Sequence, residues 1–386
     1  MAGNVATFRM PNQVSLGIGA SETVGVEAKR LGATHAFLVC DGVLKQFGII
    51  DQVVSSLSAQ GISSTLYTNV EYEPSIQSVD PCQKAAVESS CDVVVAVGGG
   101  TTLDTAKTVA MLLGNGGKAM DYLGTGLVKK RGVPSILMPT TSGTGSEITP
   151  NALFYVPELK DKRAVVSPFI VPDVAIVDPL LTMSVPPSVT AATGVDALSH
   201  AVESYTSTKA SPMTDVFALE AIRLIGMHLR TAVANGQDLA AREGMAKASL
   251  FAGITIANAG TNLVHALAYP LQGLFRITHG VANSLMLPWC MDFNALSNLP
   301  KFTQIAVAMG EPIANLSMRD AASRSAVACR LLSEDVGIPK RLSDIGVKAE
   351  TIDVLVEGAM KQTRLLDNNP RRVRPEDVRA IYERAL

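Results

Sequence analysis

VVVAVGGGTTLDTAK, residues 93–107, decides how the fold is read. The run from Cys91 is dominated by β-branched residues and lacks the polar alternation of a half-exposed strand. It reads as the clearest strand of the chain. It leads straight into Gly98, Gly99 and Gly100, and a helical pattern opens at Thr101 or Thr102. A helix N-terminus offers unpaired N–H groups at the positive end of its dipole, and glycines let a phosphate come close to that backbone. The segment is not the G-x-G-x-x-G fingerprint, and it lacks the Lys-Ser/Thr ending of a P-loop. Two readings follow: a pyrophosphate cradle, or a tight strand-to-helix turn that binds nothing.

Working outward, further strand candidates are AFLVCD at 36–41, STLYTNV at 64–70, PSILMPTT at 134–141 and DVAIVD at 173–178. Helical stretches at 75–90 and 104–113 lie between them. This alternation predicts a parallel sheet covered on both faces. From about residue 188 the character changes to Ala, Leu, Met and Ile at helical spacing. Helices are expected over 188–206, 213–235, 238–259, 261–270 and 319–335. The two prolines of SVPPS, 184–188, break one element and suit the start of the next. The division expected is therefore an α/β domain over 1–187 and an all-α domain over 188–386.

A chain of 386 residues that is 47% hydrophobic and 18% charged has the composition of a globular enzyme with large cores. Its formal net charge is −2 and it has no basic run, which argues against a nucleic-acid partner. Five cysteines, Cys40, Cys82, Cys91, Cys290 and Cys329, include no C-x-x-C pair. That pattern fits a reducing cytoplasm rather than a disulfide scaffold or a thiolate zinc site. The N-terminal stretch lacks signal-peptide features, and no apolar run approaches the roughly 20 residues of a membrane span.

Two more segments suit a nucleotide. MPTTSGTGSEIT, 138–149, follows a strand and supplies the hydroxyls of Thr140, Thr141, Ser142, Thr144 and Ser146 beside two glycines. These can bond phosphate, ribose or the nicotinamide amide, or they can simply cap a polar loop. Asp41 ends the strand AFLVC. An acid there accepts hydrogen bonds from the ribose hydroxyls of NAD and repels the 2′-phosphate of NADP, unless it only caps the turn before Gly42. A separate constellation suits a metal. Asp196 and His200 are four apart in TGVDALSHAVESY, one helix turn apart on one face. His265 opens HALAYP and His279 precedes Gly280. Three imidazoles and a carboxylate suit Zn²⁺ or Fe²⁺, although single histidines are more often packing or capping residues. His35 and His228 read as ordinary.

GGGTTLDTAK, PTTSGTGSEIT, TGVDALSHAVESY and HALAYPLQGLFRITHGVAN together resemble the iron-containing (group III) alcohol dehydrogenase family along nearly the whole chain. The pattern is also similar to the lactaldehyde (propanediol) reductases of that family. The resemblance implies an N-terminal dinucleotide-binding α/β domain with a parallel sheet and an all-helical C-terminal domain. This is the architecture shared with dehydroquinate synthase, with the active site in the cleft. It implies Asp196, His200, His265 and His279 as ligands of Fe²⁺ or Zn²⁺. It implies NAD(H) contacts at Asp41, Gly99, Gly100, Thr101, Asp104, Thr140, Thr141, Ser142, Gly143, Thr144, Thr149 and Lys162, with Asn151 in the nicotinamide and substrate region. The activity implied is hydride transfer between NAD(H) and a small primary alcohol or aldehyde, with the metal polarising the substrate oxygen, in a homodimer.

The sequence also departs from the family. Many members carry a histidine, linked to proton transfer, four residues after the third ligand. Tyr269 stands there in this chain, and a tyrosine can donate and accept a proton; Tyr269 and Asp104 are taken as the candidate catalytic groups. Arg276 before the last ligand is a candidate contact for an acidic group on the aldehyde, and Glu73 stands where related reductases have a smaller polar group. Two other readings compete: a dehydroquinate-synthase-like lyase, disfavoured by the lack of a basic cluster, and a nucleotide-binding protein without catalysis.

Overall fold

The computed structural model describes residues 5–71, 74–158 and 161–386. Glu73 lies outside the described residues. The chain divides into two compact units. One is Met10–Val185, and the other is Pro186–Leu386 together with the N-terminal segment ending at Arg9. Arg9 joins the helical unit through reciprocal hydrogen bonds with Asn258, and Phe8 stacks on Phe217 with ring centroids 6.1 Å apart.

The first unit contains nine strands among the described residues. They are β1 (Gln13–Leu16), β2 (His35–Cys40), β3 (Ser63–Tyr67), β4 (Val93–Gly98), β5 (Gly124–Thr125), β6 (Ser135–Pro139), β7 (Asn151–Val156), β8 (Asp161–Val166) and β9 (Val174–Val177). Its helices are α1 (Val24–Arg30), α2 (Ile49–Ala59), α3 (Val79–Ser89) and α4 (Gly100–Asn115). Six strands form one parallel sheet in the order β1-β9-β6-β4-β2-β3. Both faces are buried, which is why β4 is apolar at every position. Val93, Val95 and Val97 point into a core with Val24, Ile50, Val53 and Leu57 of α1 and α2. Val94 and Ala96 point into a core with Val79 and Cys82 of α3 and Leu103, Ala106 and Val109 of α4.

Helix α4 opens at Gly100, earlier than Thr101, and runs to Asn115. Leu103 N–H donates to the Gly99 carbonyl at 3.1 Å and closes its first turn. A second sheet, β5-β8-β7, joins an antiparallel hairpin in register from Asn151 opposite Val166 to Val156 opposite Asp161.

The second unit contains ten helices among the described residues. They are α5 (Pro187–Thr206), α6 (Pro212–Ala234), α7 (Leu239–Ala259), α8 (Leu263–Phe275), α9 (His279–Asn294), α10 (Leu299–Ala308), α11 (Met318–Asp335), α12 (Ile352–Met360), α13 (Thr363–Leu366) and α14 (Pro375–Ala385). They share one large apolar core. Helix α8 starts two residues later than its sequence pattern suggests, because the Asn262 side chain caps it by accepting from Leu263 N–H at 2.7 Å. It then continues through Pro270. No single helix among the described residues is long and apolar enough to cross a membrane.

Candidate active site

Three helices of the second unit bring the ligand candidates together. Asp196 and His200 lie one turn apart on α5, His265 is in the first turn of α8, and His279 is the first residue of α9. One donor atom from each lies within 4.8 Å of every other. His200 Nε2 and His279 Nε2 stand 3.7 and 3.9 Å from Asp196 Oδ1. Metal–ligand bonds of about 2.0–2.2 Å place tetrahedral ligand atoms about 3.4 Å apart, so the set is close to the size of a divalent-cation site. Gly280 makes this approach possible: a Cβ there would lie 2.5 Å from the Ala192 carbonyl of α5. Any larger residue after His279 would push α9 away from Asp196.

The surrounding residues orient these candidate ligands. Glu203, one turn beyond His200, is 1% exposed. Its Oε1 accepts N–H bonds from Asn262 at 2.9 Å and Val264 at 2.8 Å, and its Oε2 accepts from His265 Nδ1. The carboxylate thereby keeps the proton on Nδ1 and turns the Nε2 lone pair toward the cluster. Gln272 Oε1 does the same for His279 Nδ1 at 3.2 Å. Burial acts to raise the pKa of Asp196, but His200, His279, His265 and a hydrogen bond from Asn283 outweigh it and hold the carboxyl below its ordinary value. Tyr269 borders the cluster, half-buried, with its ring centroid 6.2 Å from His279 and 6.4 Å from His265. Arg276 is the exposed C-cap of α8, with its backbone in the left-handed region at φ 52°. The remaining histidines have other partners. His35 bonds Ser63 and Thr65, and the His228 ring packs under Gly244.

In the first unit the nucleotide candidates collect at the carboxyl ends of three adjacent strands. Asp41 follows β2, Gly99 and Gly100 follow β4, and Thr140–Thr149 follow β6. After β3 the chain returns past β2 and lays β4 on its other side. This reversal is where open α/β sheets bind ligands. Asp41 is exposed, and its Oδ1 accepts from Val43 N–H at 3.1 Å. Thr140 N–H donates to the Gly98 carbonyl at 3.0 Å, and a Cβ on Gly100 would meet Thr144 Cγ2 at 2.8 Å. The two loops therefore touch, and a side chain at position 100 would separate them. Thr101, Thr141, Ser142 and Thr144 are partly exposed, whereas Gly143 and Thr149 are buried. Lys162 stands on β8 opposite Tyr155 of β7.

Behind the loops lies a buried ionic hub that sequence reasoning missed. Lys107 is 1% exposed, with Nζ 3.0 Å from Asp104 Oδ1. It donates to the carbonyls of Ser146 at 2.9 Å, Thr149 at 3.4 Å and Asn151. Asp104 Oδ1 also accepts from Ser146 Oγ, and its Oδ2 accepts from Leu153 N–H at 2.8 Å. Asp104 thus ties α4 to the loop after β6 through Oδ1 and to β7 through Oδ2. Glu147 is buried beside this hub; burial pushes its pKa up to about 7 despite the Lys107 charge. Lys107 sits three residues after Asp104, and Glu203 three after His200. Both spacings share a helix face and were readable in the sequence. Neutral Gln272 and Asn283 carried no such signal.

Comparisons with known proteins bear on the family. A model of iron-containing alcohol dehydrogenases matches residues 11–179, and one for the C-terminal part of the Fe-containing alcohol dehydrogenase family matches 190–386. Long-chain-alcohol dehydrogenase 1 of Geobacillus thermodenitrificans (strain NG80-2) is 44% identical over 386 residues, spanning 99% of this chain and 97% of that protein. The crystal structure of a 1,3-propanediol oxidoreductase matches with a TM-score of 0.96 at 39% identity, covering 99% of this chain and 100% of that one. A sulfoacetaldehyde reductase from Bifidobacterium kashiwanohense, solved in complex with NAD⁺, matches with a TM-score of 0.90 at 30% identity over 99% of both chains. With matching domains in order and relatives similar from end to end, the chain belongs to the iron-containing alcohol dehydrogenase family.

Proposed function

We propose that this alcohol dehydrogenase works with NAD(H) and one divalent cation, Fe²⁺ or Zn²⁺, on a small primary alcohol and its aldehyde. The observation that carries the reading is the convergence of Asp196, His200, His265 and His279 inside the helical unit. A buried carboxylate against three imidazoles, two of them held as Nδ1–H by Glu203 and Gln272, is a donor set made for a cation. A cation held there supplies a Lewis acid for the substrate oxygen, and NAD(H) supplies the hydride acceptor or donor.

The protein's own residues bind and align. Asp41 receives the ribose hydroxyls, and the loops after β4 and β6 receive the pyrophosphate and nicotinamide amide. Asp104 and Lys107 hold the second loop in shape. Asn151 and Lys162 complete the nicotinamide end. Tyr269, beside His265 and His279, carries a phenolic O–H that can give a proton in the reductive direction. The reading also takes the enzyme as a cytoplasmic homodimer.

A second reading concerns substrate charge. Arg276 lies three residues before His279, and a sulfoacetaldehyde reductase is among the structural neighbours. An arginine there pairs with an acidic group on a short aldehyde. Iron-loaded protein and NADH, given a neutral aldehyde of three or four carbons and an acidic one of equal length, tests both readings. Steady consumption of NADH supports the first, and none with any aldehyde contradicts it. A rise in KM confined to the acidic aldehyde in Arg276→Ala supports the second.

A further inference from the structure

Asn283 stands four residues after His279, on the same face of α9, and is fully buried. Its amide nitrogen lies 2.7 Å from Asp196 Oδ1, 3.1 Å from His279 Nε2 and 3.2 Å from His265 Nε2. One side chain thus reaches three of the four donor atoms. Its Oδ1 is buried without a hydrogen-bond partner among the described residues.

The chemistry of these contacts is specific. Glu203 and Gln272 place the imidazole protons of His265 and His279 on Nδ1, so both Nε2 atoms present lone pairs toward Asn283. Those lone pairs, with the Asp196 carboxylate, are what a cation would use. An amide N–H carries positive charge and cannot face a cation at the same place. Rotating the amide by half a turn about its last bond exchanges N–H for C=O. Oδ1 gives up no hydrogen bond in the exchange, and the bond that the amide N–H gives up to Asp196 Oδ1 would be replaced by that carboxylate's bond to the cation.

Resting on the metal reading above, we propose that Asn283 is a further residue of the metal centre, which turns its amide oxygen to the cation as a fifth donor and so biases the site toward Fe²⁺. Three imidazoles and one carboxylate already satisfy Zn²⁺, which settles at four ligands. A neutral oxygen added to that set benefits an ion that takes five or six, as Fe²⁺ does.

The test is anaerobic competition against a chelator, giving Kd for Fe²⁺ and for Zn²⁺ in the wild-type protein, Asn283→Leu and Asn283→Asp. The visible bands of the Co²⁺-loaded proteins are recorded alongside; these intensify as coordination falls to four. Asn283→Leu is expected to weaken Fe²⁺ about 10–100-fold, to change Zn²⁺ much less, and to intensify the Co²⁺ bands. Asn283→Asp, which keeps an oxygen in place, is expected to bind Fe²⁺ at least as tightly as the wild type. This second variant carries the test if the leucine variant does not fold. Unchanged Fe²⁺ binding in Asn283→Leu overturns the proposal. So does an equal loss of both ions with unaltered Co²⁺ bands, which would mark a simple hydrogen bond to Asp196. Weaker Fe²⁺ binding in Asn283→Asp overturns it as well. A wild-type protein that binds neither ion overturns the metal reading together with this one, whereas tight wild-type binding that ignores position 283 overturns this one alone.

Discussion

Glu203 and His265 are locked together by a carboxylate whose two oxygens do different jobs. One accepts the His265 Nδ1 proton, and the other accepts the Asn262 and Val264 N–H groups that open α8. The same residue thus caps the helix that carries His265 and sets the tautomer of that imidazole. Glu203→Gln is expected to lower metal affinity by about 10–100-fold, read as Kd by chelator competition. An amide cannot accept at both ends, so it also leaves a buried N–H facing an N–H. A drop in melting temperature should accompany the affinity loss.

Lys107 is the cation at the centre of the hub behind the Thr-rich loop. Lys107→Met leaves Asp104 and Glu147 buried without it. The expected loss of stability is about 3–5 kcal/mol, measured by denaturant unfolding. With the 146–151 backbone released from Nζ, KM for NADH should rise more than kcat falls.

Glu147 makes stability depend on pH. Its pKa is raised from 4.5 to about 7, chiefly by burial. A raised pKa means that the stability contribution is complete below about pH 4.5 and declines as pH climbs through 7. Glu147→Gln removes that dependence. Relative to the wild type, the variant should gain up to about 3 kcal/mol at pH 8 and almost nothing at pH 4.5. Unfolding midpoints at the two pH values check this.

Asp41 faces solvent at the end of β2, one of the strands flanking the reversal in the sheet. Preference for NAD(H) over NADP(H) is expected in the wild type. Asp41→Gly should narrow the ratio of kcat/KM values by removing repulsion of the 2′-phosphate. A wild-type preference for NADPH would contradict the role given to Asp41.

Much of this was legible because it rests on local periodicity. The β4 run and its glycines announced a parallel sheet, and the Asp196–His200 spacing announced one helix face. Helix α9 escaped notice for physical reasons. It opens on His279 with no side-chain cap from Thr278 and carries Pro288 in its middle. The β7–β8 hairpin was also missed, although β7 alternates buried and half-buried positions in the period of a strand. Lys162 therefore stood as an isolated contact rather than a member of a sheet. Asp104 was read as a cofactor and catalytic group from the resemblance. Both of its oxygens also bond within the protein, a tertiary fact that spacing does not carry. Asn283 lay in plain view four residues after His279, but a neutral amide marks a site only when its neighbours are placed in space.

The central claim is that Asp196, His200, His265 and His279 hold one catalytic cation. The most direct measurement is an anaerobic Fe²⁺ titration of the wild type, His265→Ala and His279→Ala, with metal content and NADH-dependent aldehyde reduction followed on the same samples and folding checked by circular dichroism. The wild type should take up one ion per chain, and each folded variant should lose most of both metal and turnover. Either variant keeping full metal occupancy and wild-type turnover would contradict the account.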